Sequence, residues 1–166
     1  MDLHKREISD GEVFEKMIIE KATVEDAVDI LDLQKRAYVS EAKINNDYTI
    51  PPLTQTIESM QNDFNRCLFL KAVEAGKIIG SVKGYEENGT CYIGRLIVSE
   101  EHQNKGIGTS LLKSIEKEFS YVTRYELFTG KKSEKNLYLY QKNGYRIFKE
   151  EKLSEKTTLV FLEKLN

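Results

Sequence analysis

The segment of this chain best equipped for chemistry runs Leu96-Ile97-Val98-Ser99-Glu100-Glu101-His102-Gln103-Asn104-Lys105-Gly106-Ile107-Gly108-Thr109. An apolar run ends, a polar stretch crosses over, and two glycines open an amphipathic pattern. The first N–H groups of a helix lack intrahelical partners, and the helix dipole draws anions to that end. Glycine there leaves no Cβ to hold a phosphate away from the backbone. Lys105 adds a positive charge beside the site. The chemistry expected is phosphate binding by main-chain amides. Two other Gly-rich loops fit worse. A P-loop needs Gly-Lys-Ser/Thr after four intervening residues, which this segment lacks. A dinucleotide fingerprint needs a third small residue where Leu111 stands, and it belongs in a first βα turn. On the residues alone, a turn that simply lets a helix pack closely stays open as the alternative.

Other chemistries find little support. The two histidines, His4 and His102, are far apart, and no Cys/His spacing resembles a zinc site. Cys67 and Cys91 lie in apolar runs and read as reduced core thiols. With 25 basic and 27 acidic side chains well mixed, the formal charge of -2 argues against a broad nucleic-acid surface. No apolar run reaches the roughly 18 residues of a membrane helix. Residues Met1 to Lys16 are mostly polar and show no secretory h-region, so a cytoplasmic protein without a membrane partner is expected.

The elements that must position the loop follow from periodicity. The length of 166 residues suits one domain, expected over 17–166, with 1–16 as an N-terminal extension. Met17 to Ala22 reads as a strand, and Thr23 with Asp26 resembles a capping box. The next helix is expected to bury Val24, Ala27, Val28, Leu31 and Ala37. Asn45 to Pro52 reads as a polar loop, and Thr54 or Thr56 starts a shorter helix reaching about Phe64. Cys67–Glu74, Ile78–Tyr85 and Thr90–Val98 read as strands joined by tight turns, one carrying the Asn88-Gly89 hairpin signal. Gly106–Phe119 is an amphipathic helix burying Ile107, Leu111, Leu112, Ile115 and Phe119. Tyr125–Phe128 is a strand, Ser133 caps a helix over Glu134–Lys142, and Tyr145–Phe148 and Thr157–Leu162 form a closing pair. This order calls for an α/β fold, a mixed and mostly antiparallel sheet with helices on its faces.

At this point a resemblance enters. Gln103-Asn104-Lys105-Gly106-Ile107-Gly108 resembles the Gln/Arg-x-x-Gly-x-Gly/Ala signature of GNAT N-acetyltransferases. Asn136-Leu137-Tyr138-Leu139-Tyr140-Gln141-Lys142-Asn143-Gly144-Tyr145 is similar to that family's Asn…Leu-Tyr-x-Lys-x-Gly-Phe/Tyr segment. The order of elements also matches, from about Met17 to Lys164. The resemblance implies a GNAT-like acyl-CoA N-acyltransferase fold whose fourth and fifth strands splay apart. It further implies acetyl-CoA as cosubstrate, with no metal. Leu96, Ile97 and Val98 would run beside the pantetheine arm, and the turn from Gln103 through Asn104, Lys105, Gly106, Ile107 and Gly108 to Thr109 would hold the diphosphate. Asn136 would contact the coenzyme, and Tyr140 would protonate the leaving thiolate. Residues four apart on a helix share a face, so Tyr140 shares one with Asn136, and Tyr138 is expected to point into packing.

Acetyl transfer also needs an oxyanion donor, for which the Val98 N–H is the candidate. A lysine-like amine, with a pKa of about 10.4, must lose a proton before it attacks. Some family members place a glutamate on the fourth strand; Tyr92 stands there in this chain, so a water relay touching Tyr92 is expected, with Glu86 and Glu87 solvated. The acceptor is expected to be a small-molecule or peptide amine, walled by Tyr38 to Met60, where Glu41, Asp47, Tyr48 and Glu58 would suit a cation. A homodimer is left open. The competing readings are a non-catalytic CoA-binding module and an enzyme using the same loop for ATP or NAD.

Overall fold

The computed structural model describes residues 5–7 and 13–166, with side chains from Lys16 onward. In chain order the elements are β1 Lys5–Glu7, β2 Val13–Glu15, β3 Ile18–Lys21, α1 Ala27–Asn45, α2 Pro51–Thr54, α3 Ile57–Asp63 and β4 Leu68–Glu74. Then follow β5 Lys77–Glu87, β6 Thr90–Val98, α4 Ile107–Glu118, β7 Arg124–Gly130, α5 Glu134–Lys142, β8 Arg146–Lys152 and β9 Thr158–Leu165. Short 3-10 turns at Val24–Asp26 and Glu100–His102 precede α1 and α4. Of the expected N-terminal extension, residues 1–4 and 8–12 lie outside the described residues. Its strands β1 and β2 pair with each other as a separate two-stranded sheet.

The main sheet has seven strands in the order β3-β4-β5-β6-β7-β9-β8. Every neighbouring pair is antiparallel except β6–β7, so the mixed α/β sheet read from the sequence is the sheet that forms. The turns that fold β4, β5 and β6 are local. Asn88 and Gly89 both adopt the left-handed backbone that a tight hairpin requires (φ 52° and 83°). Helices α4 and α5 supply one face. Leu111, Leu112 and Ile115 of α4 are fully buried against Leu70, Ala72, Val82, Cys91 and Ile93 of the sheet. On the other face, Ala27, Ile30 and Leu31 of α1 pack with Met60 of α3 and Phe69 of β4.

Two expectations need correction, and one alternative is decided. Val24 and Val28 are exposed, because α1 starts at Ala27 after a 3-10 turn and its inner stripe runs through Ala27, Ile30, Leu31 and Gln34. Gln34, polar yet fully buried, occupies the place where an apolar residue would have marked that stripe. The proline loop is shorter than expected, since Asn45 still belongs to α1 and Pro51 and Pro52 open α2. Thr56 rather than Thr54 caps α3, its hydroxyl accepting the Ser59 N–H at 3.1 Å. Cys91 is buried and its thiol is pushed up to about 12 by that burial, while Cys67 is half-buried.

Candidate active site

The chemistry begins with a parting of strands. β6 and β7 pair only from Thr90, Cys91 and Tyr92 to Arg124, Tyr125 and Glu126. Beyond that point β6 continues to Val98 without ladder partners on its β7 side. The register between β5 and β6 also slips there. Ser81 faces Ile97 but Lys83 faces Gly94, so β6 carries one extra residue, and Arg95 within the bulge takes a left-handed backbone (φ 50°). The Ser99 N–H donates to the Ile79 carbonyl at 2.8 Å. Residues 79 and 99 are thus a hydrogen-bonded pair, and the next pair, Gly80 and Val98, turn their amides away from each other. The Val98 N–H and carbonyl therefore face the open side of β6. Gln103 holds that carbonyl, donating from Nε2 at 3.1 Å.

The turn from Gln103 leads into α4. Asn104 and Gly106 both have positive φ (64° and 81°), which swings the chain so that the amides of Ile107, Gly108 and Thr109 precede the first helical bond, Ser110 N–H to Gly106 O at 3.0 Å. α4 carries no carboxylate in its first turn, whereas α1, α3 and α5 each do. Packing does not demand glycine at 108. A Cβ there would meet only Leu139 Cδ2 at 3.5 Å and Val98 Cγ2 at 3.9 Å, ordinary contacts. These features fit an anion seated on the helix start. A cleft of about 610 Å³ lies along Leu96, Ile97 and Val98 and reaches Gln103, Asn104, Gly106, Ile107, Gly108 and Thr109. Lys105 is exposed and is not part of that lining. His102 ties the base of the turn down, with Nδ1 2.6 Å from Ser99 Oγ and Nε2 3.0 Å from Glu74 Oε2.

Helix α5 closes the other side. Asn136 and Tyr140, one turn apart, both line a second cleft of about 490 Å³. The Tyr140 side chain is 5% exposed, and its hydroxyl makes no hydrogen bond among the described residues. Burial pushes its phenol well above the ordinary range, with Tyr38 and Glu41 adding to the rise, so Tyr140 keeps its proton. Asn136 Nδ2 donates to Thr129 Oγ1 at 3.2 Å. Tyr138 is 68% exposed rather than packed, because it points away from the sheet beside Lys142, whose Nζ lies 5.7 Å from its ring centroid. Ser133 occupies the N-cap position of α5 but donates its hydroxyl to Glu41 Oε1 at 2.6 Å instead of capping.

The two clefts share Tyr38, Glu41, Leu96 and Asn136. Tyr92 lines the 490 Å³ cleft with its ring stacked on Tyr85 at 5.2 Å. Of Glu41, Asp47, Tyr48 and Glu58, the groups expected to attract a cationic acceptor, Glu41 alone lines the clefts. Tyr48 is exposed, as is Glu58. Asp47 is buried and satisfied by Thr49, Ser154 and Thr157. Glu86 and Glu87 are exposed as expected. Sequence reasoning missed Glu126 and Arg95. Glu126 stands opposite Tyr92 in the parallel register and lines the same cleft, where Arg124 Nη2 pairs with it at 2.8 Å. Its signal was a lone carboxylate at an alternate position of a largely apolar strand; Arg95 gave none, since a bulge has no local signature here.

Comparison with solved structures finds the same fold in many acetyltransferases. One is the IAA acetyltransferase of Bacillus cereus ATCC 14579, at 25% identity and TM-score 0.68, with 91% of this chain and 100% of that chain covered. The PaiA N-acetyltransferase of Thermoplasma acidophilum, solved in complex with coenzyme A, matches at 21% identity and TM-score 0.66 over 91% and 99% of the two chains. The ribosomal-protein-S18-alanine N-acetyltransferase of Escherichia coli matches at 13% identity and TM-score 0.75 over 90% and 94%. No curated protein matches the sequence significantly. The family model described as the Acetyltransferase (GNAT) family matches residues 27–145, which spans α1 through α5 and so contains the splayed strands and the turn into α4. With that match over most of its length, the chain belongs to the GNAT family of acetyltransferases.

Proposed function

We propose that this protein is an acetyl-CoA-dependent N-acetyltransferase that passes the acetyl group directly to a primary amine in a ternary complex. The observation that carries the reading is the meeting of the two clefts at Tyr38, Glu41, Leu96 and Asn136. One cleft offers a helix start and a strand edge suited to a diphosphate and its pantetheine arm. The other offers an aromatic chamber with carboxylates suited to an amine.

In this reading the amides of residues 104–109 bind the diphosphate, while the pantetheine runs beside Leu96, Ile97 and Val98 on the open edge of β6. Lys105 contributes charge from outside the cleft. The acceptor nitrogen attacks the thioester carbonyl, a C–N bond forms and the C–S bond breaks. The Val98 N–H donates to the oxygen that gains charge. Tyr140, kept protonated by burial, gives its proton to the departing sulfur, and the second proton, shed by the attacking nitrogen as the amide forms, restores the phenol. The ammonium form of the acceptor loses its proton through water held between Tyr92 and the carboxylates of Glu41 and Glu126. Residues 17–166 constitute the catalytic domain.

Two measurements test the reading together. Acetyl-CoA should raise the melting temperature by several degrees, as ligand binding to the folded state requires. Thiol release should follow when an amine acceptor is added. No stabilisation by acetyl-CoA would end the proposal. Stabilisation without release over a broad amine panel would leave a coenzyme-binding module.

A further inference from the structure

The acceptor cleft carries both signs of charge, and their pairing is uneven. Lys83 Nζ is neutralised by Asp63 Oδ2 at 2.9 Å, and Glu126 by Arg124 at 2.8 Å. Two charges are left without an ionic partner among the described residues, Arg95 and Glu41. Arg95 donates from Nη1 to Gln55 Oε1 at 3.1 Å, a neutral acceptor. Gln55 is itself pinned, accepting from Gln34 Nε2 at 2.9 Å and donating to Asp63 Oδ2 at 2.8 Å. The guanidinium is thus fixed in place while most of its five N–H donors stay available. The backbone offers no reason for arginine there. A φ of 50° suits glycine, and a long side chain adopts it only with strain.

Glu41 lines the same cleft as Arg95. Its carboxylate is held by the neutral hydroxyl of Ser133 at 2.6 Å. The phenol of Tyr38 feels both groups. Burial raises it, Arg95 pulls it down, and Glu41 pushes it up. Arg95, Glu41 and Tyr38 thus line one cleft, with Glu41 and Tyr38 at its junction with the other. Tyr85, Tyr92, Phe128 and Phe161 give the chamber its aromatic walls.

Resting on the acetyltransferase reading, we propose that the acceptor is a free amino acid with a large apolar or aromatic side chain. Its carboxylate sits on the Arg95 fork, its amino group turns toward Glu41 and the thioester, and its side chain lies against the aromatic walls. A planar carboxylate matches a guanidinium in two parallel hydrogen bonds, which fixes orientation as well as charge. A polyamine fits poorly. It would place several positive charges beside Arg95 and Lys83, with only Glu41 free to receive them.

The test uses matched acceptors with saturating acetyl-CoA and thiol release as readout: phenylalanine against phenethylamine, leucine against isoamylamine, and spermidine. The amino acids should exceed their decarboxylated partners in kcat/KM by roughly 10- to 100-fold, the usual effect of a charge-assisted hydrogen-bond pair. Arg95→Gln should collapse that preference to below about threefold, and Arg95→Lys should leave an intermediate value, because charge without the fork recovers part of the binding. The melting-temperature rise with acetyl-CoA checks that each variant is folded. Better turnover of phenethylamine or spermidine, no turnover of any of the five by a protein that acetyl-CoA stabilises, or a preference that survives Arg95→Gln would each overturn this inference and leave the acetyltransferase reading standing. Failure of acetyl-CoA to stabilise the parent protein would bring down both.

Discussion

At the scale of single residues, burial decides what Tyr140 can do. An exposed phenol with a pKa near 10 could act in either direction in alkaline solution, but this one is held above that range, which in the proposed mechanism restricts it to donating a proton. Tyr140→Phe removes the proton and almost nothing else, since among the described residues the hydroxyl has no partner to leave unsatisfied. The variant should lose roughly tenfold or more in kcat while keeping its melting temperature and its stabilisation by acetyl-CoA. Steady-state kinetics beside a thermal-shift titration would show this, and a normal kcat would remove Tyr140 from the mechanism. The wild-type pH profile should show no titration of this group within the stable range of the protein. Tyr92 and Tyr138 illustrate the contrast. Both are aromatic and near the clefts, but one is stacked on Tyr85 and the other stands in solvent beside Lys142.

At the scale of elements, the start of α4 carries the coenzyme reading. Three features coincide there: unpaired amides, no carboxylate in the first turn, and a glycine that packing does not require. Gly108→Ala places a methyl group in ordinary contact with Leu139 and Val98, and alanine is the better helix former. The unliganded protein should therefore melt at the same temperature or slightly higher. Affinity for acetyl-CoA should fall by roughly tenfold, because a Cβ now stands beside the amides that meet the phosphates. Calorimetric titration of parent and variant would separate the two effects, and unchanged affinity would move the diphosphate elsewhere. Gly106 is different in kind. Its φ of 81° needs glycine for the turn itself, so substitution there would disturb folding and binding together.

At the scale of the whole molecule, the acceptor wall is held by contacts that join distant parts of the chain. Asp47, just after α1, accepts hydrogen bonds from Thr49, from Ser154 at 2.7 Å and from Thr157 at 2.8 Å. These partners hold its carboxyl well below the usual carboxylate range, the bond from Thr49 contributing most. A carboxyl with a depressed folded pKa stabilises the protein fully above its unfolded value, near 3.9, and the benefit is lost as pH falls below that. Asp47→Asn should therefore destabilise the protein at pH 7, and the difference from the parent should shrink as pH falls from about 4 toward 2. Urea unfolding of both proteins at several pH values measures this. A difference independent of pH would mean that shape rather than charge makes the bond. The same tie fixes the α1–α2 connection against the β8–β9 hairpin, so the variant should also bind acceptors less tightly.

Much of this molecule was written locally. The β4–β5–β6 meander follows from turn residues next to one another, and α4 from an apolar stripe whose five members are all buried. The glycine-opened start of α4 and the shared face of Asn136 and Tyr140 were legible for the same reason, since each depends on residues within one or two turns. The stripe of α1 was legible only at Ala27 and Leu31, because the Nε2 of a buried Gln34 finds its partners at Pro52 and Gln55, about twenty positions away. Tertiary structure alone decided the cleft. The placement of Arg95 depends on a one-residue slip between β5 and β6, and that of Glu126 on a parallel register set by two strands with a helix between them. Glu41 faces the site because Ser133, 92 positions later, meets it. Sequence spacing encodes periodicity and turn chemistry over a few residues. Which charges end up facing one another across a cavity is settled by strand register and packing, after the chain has closed.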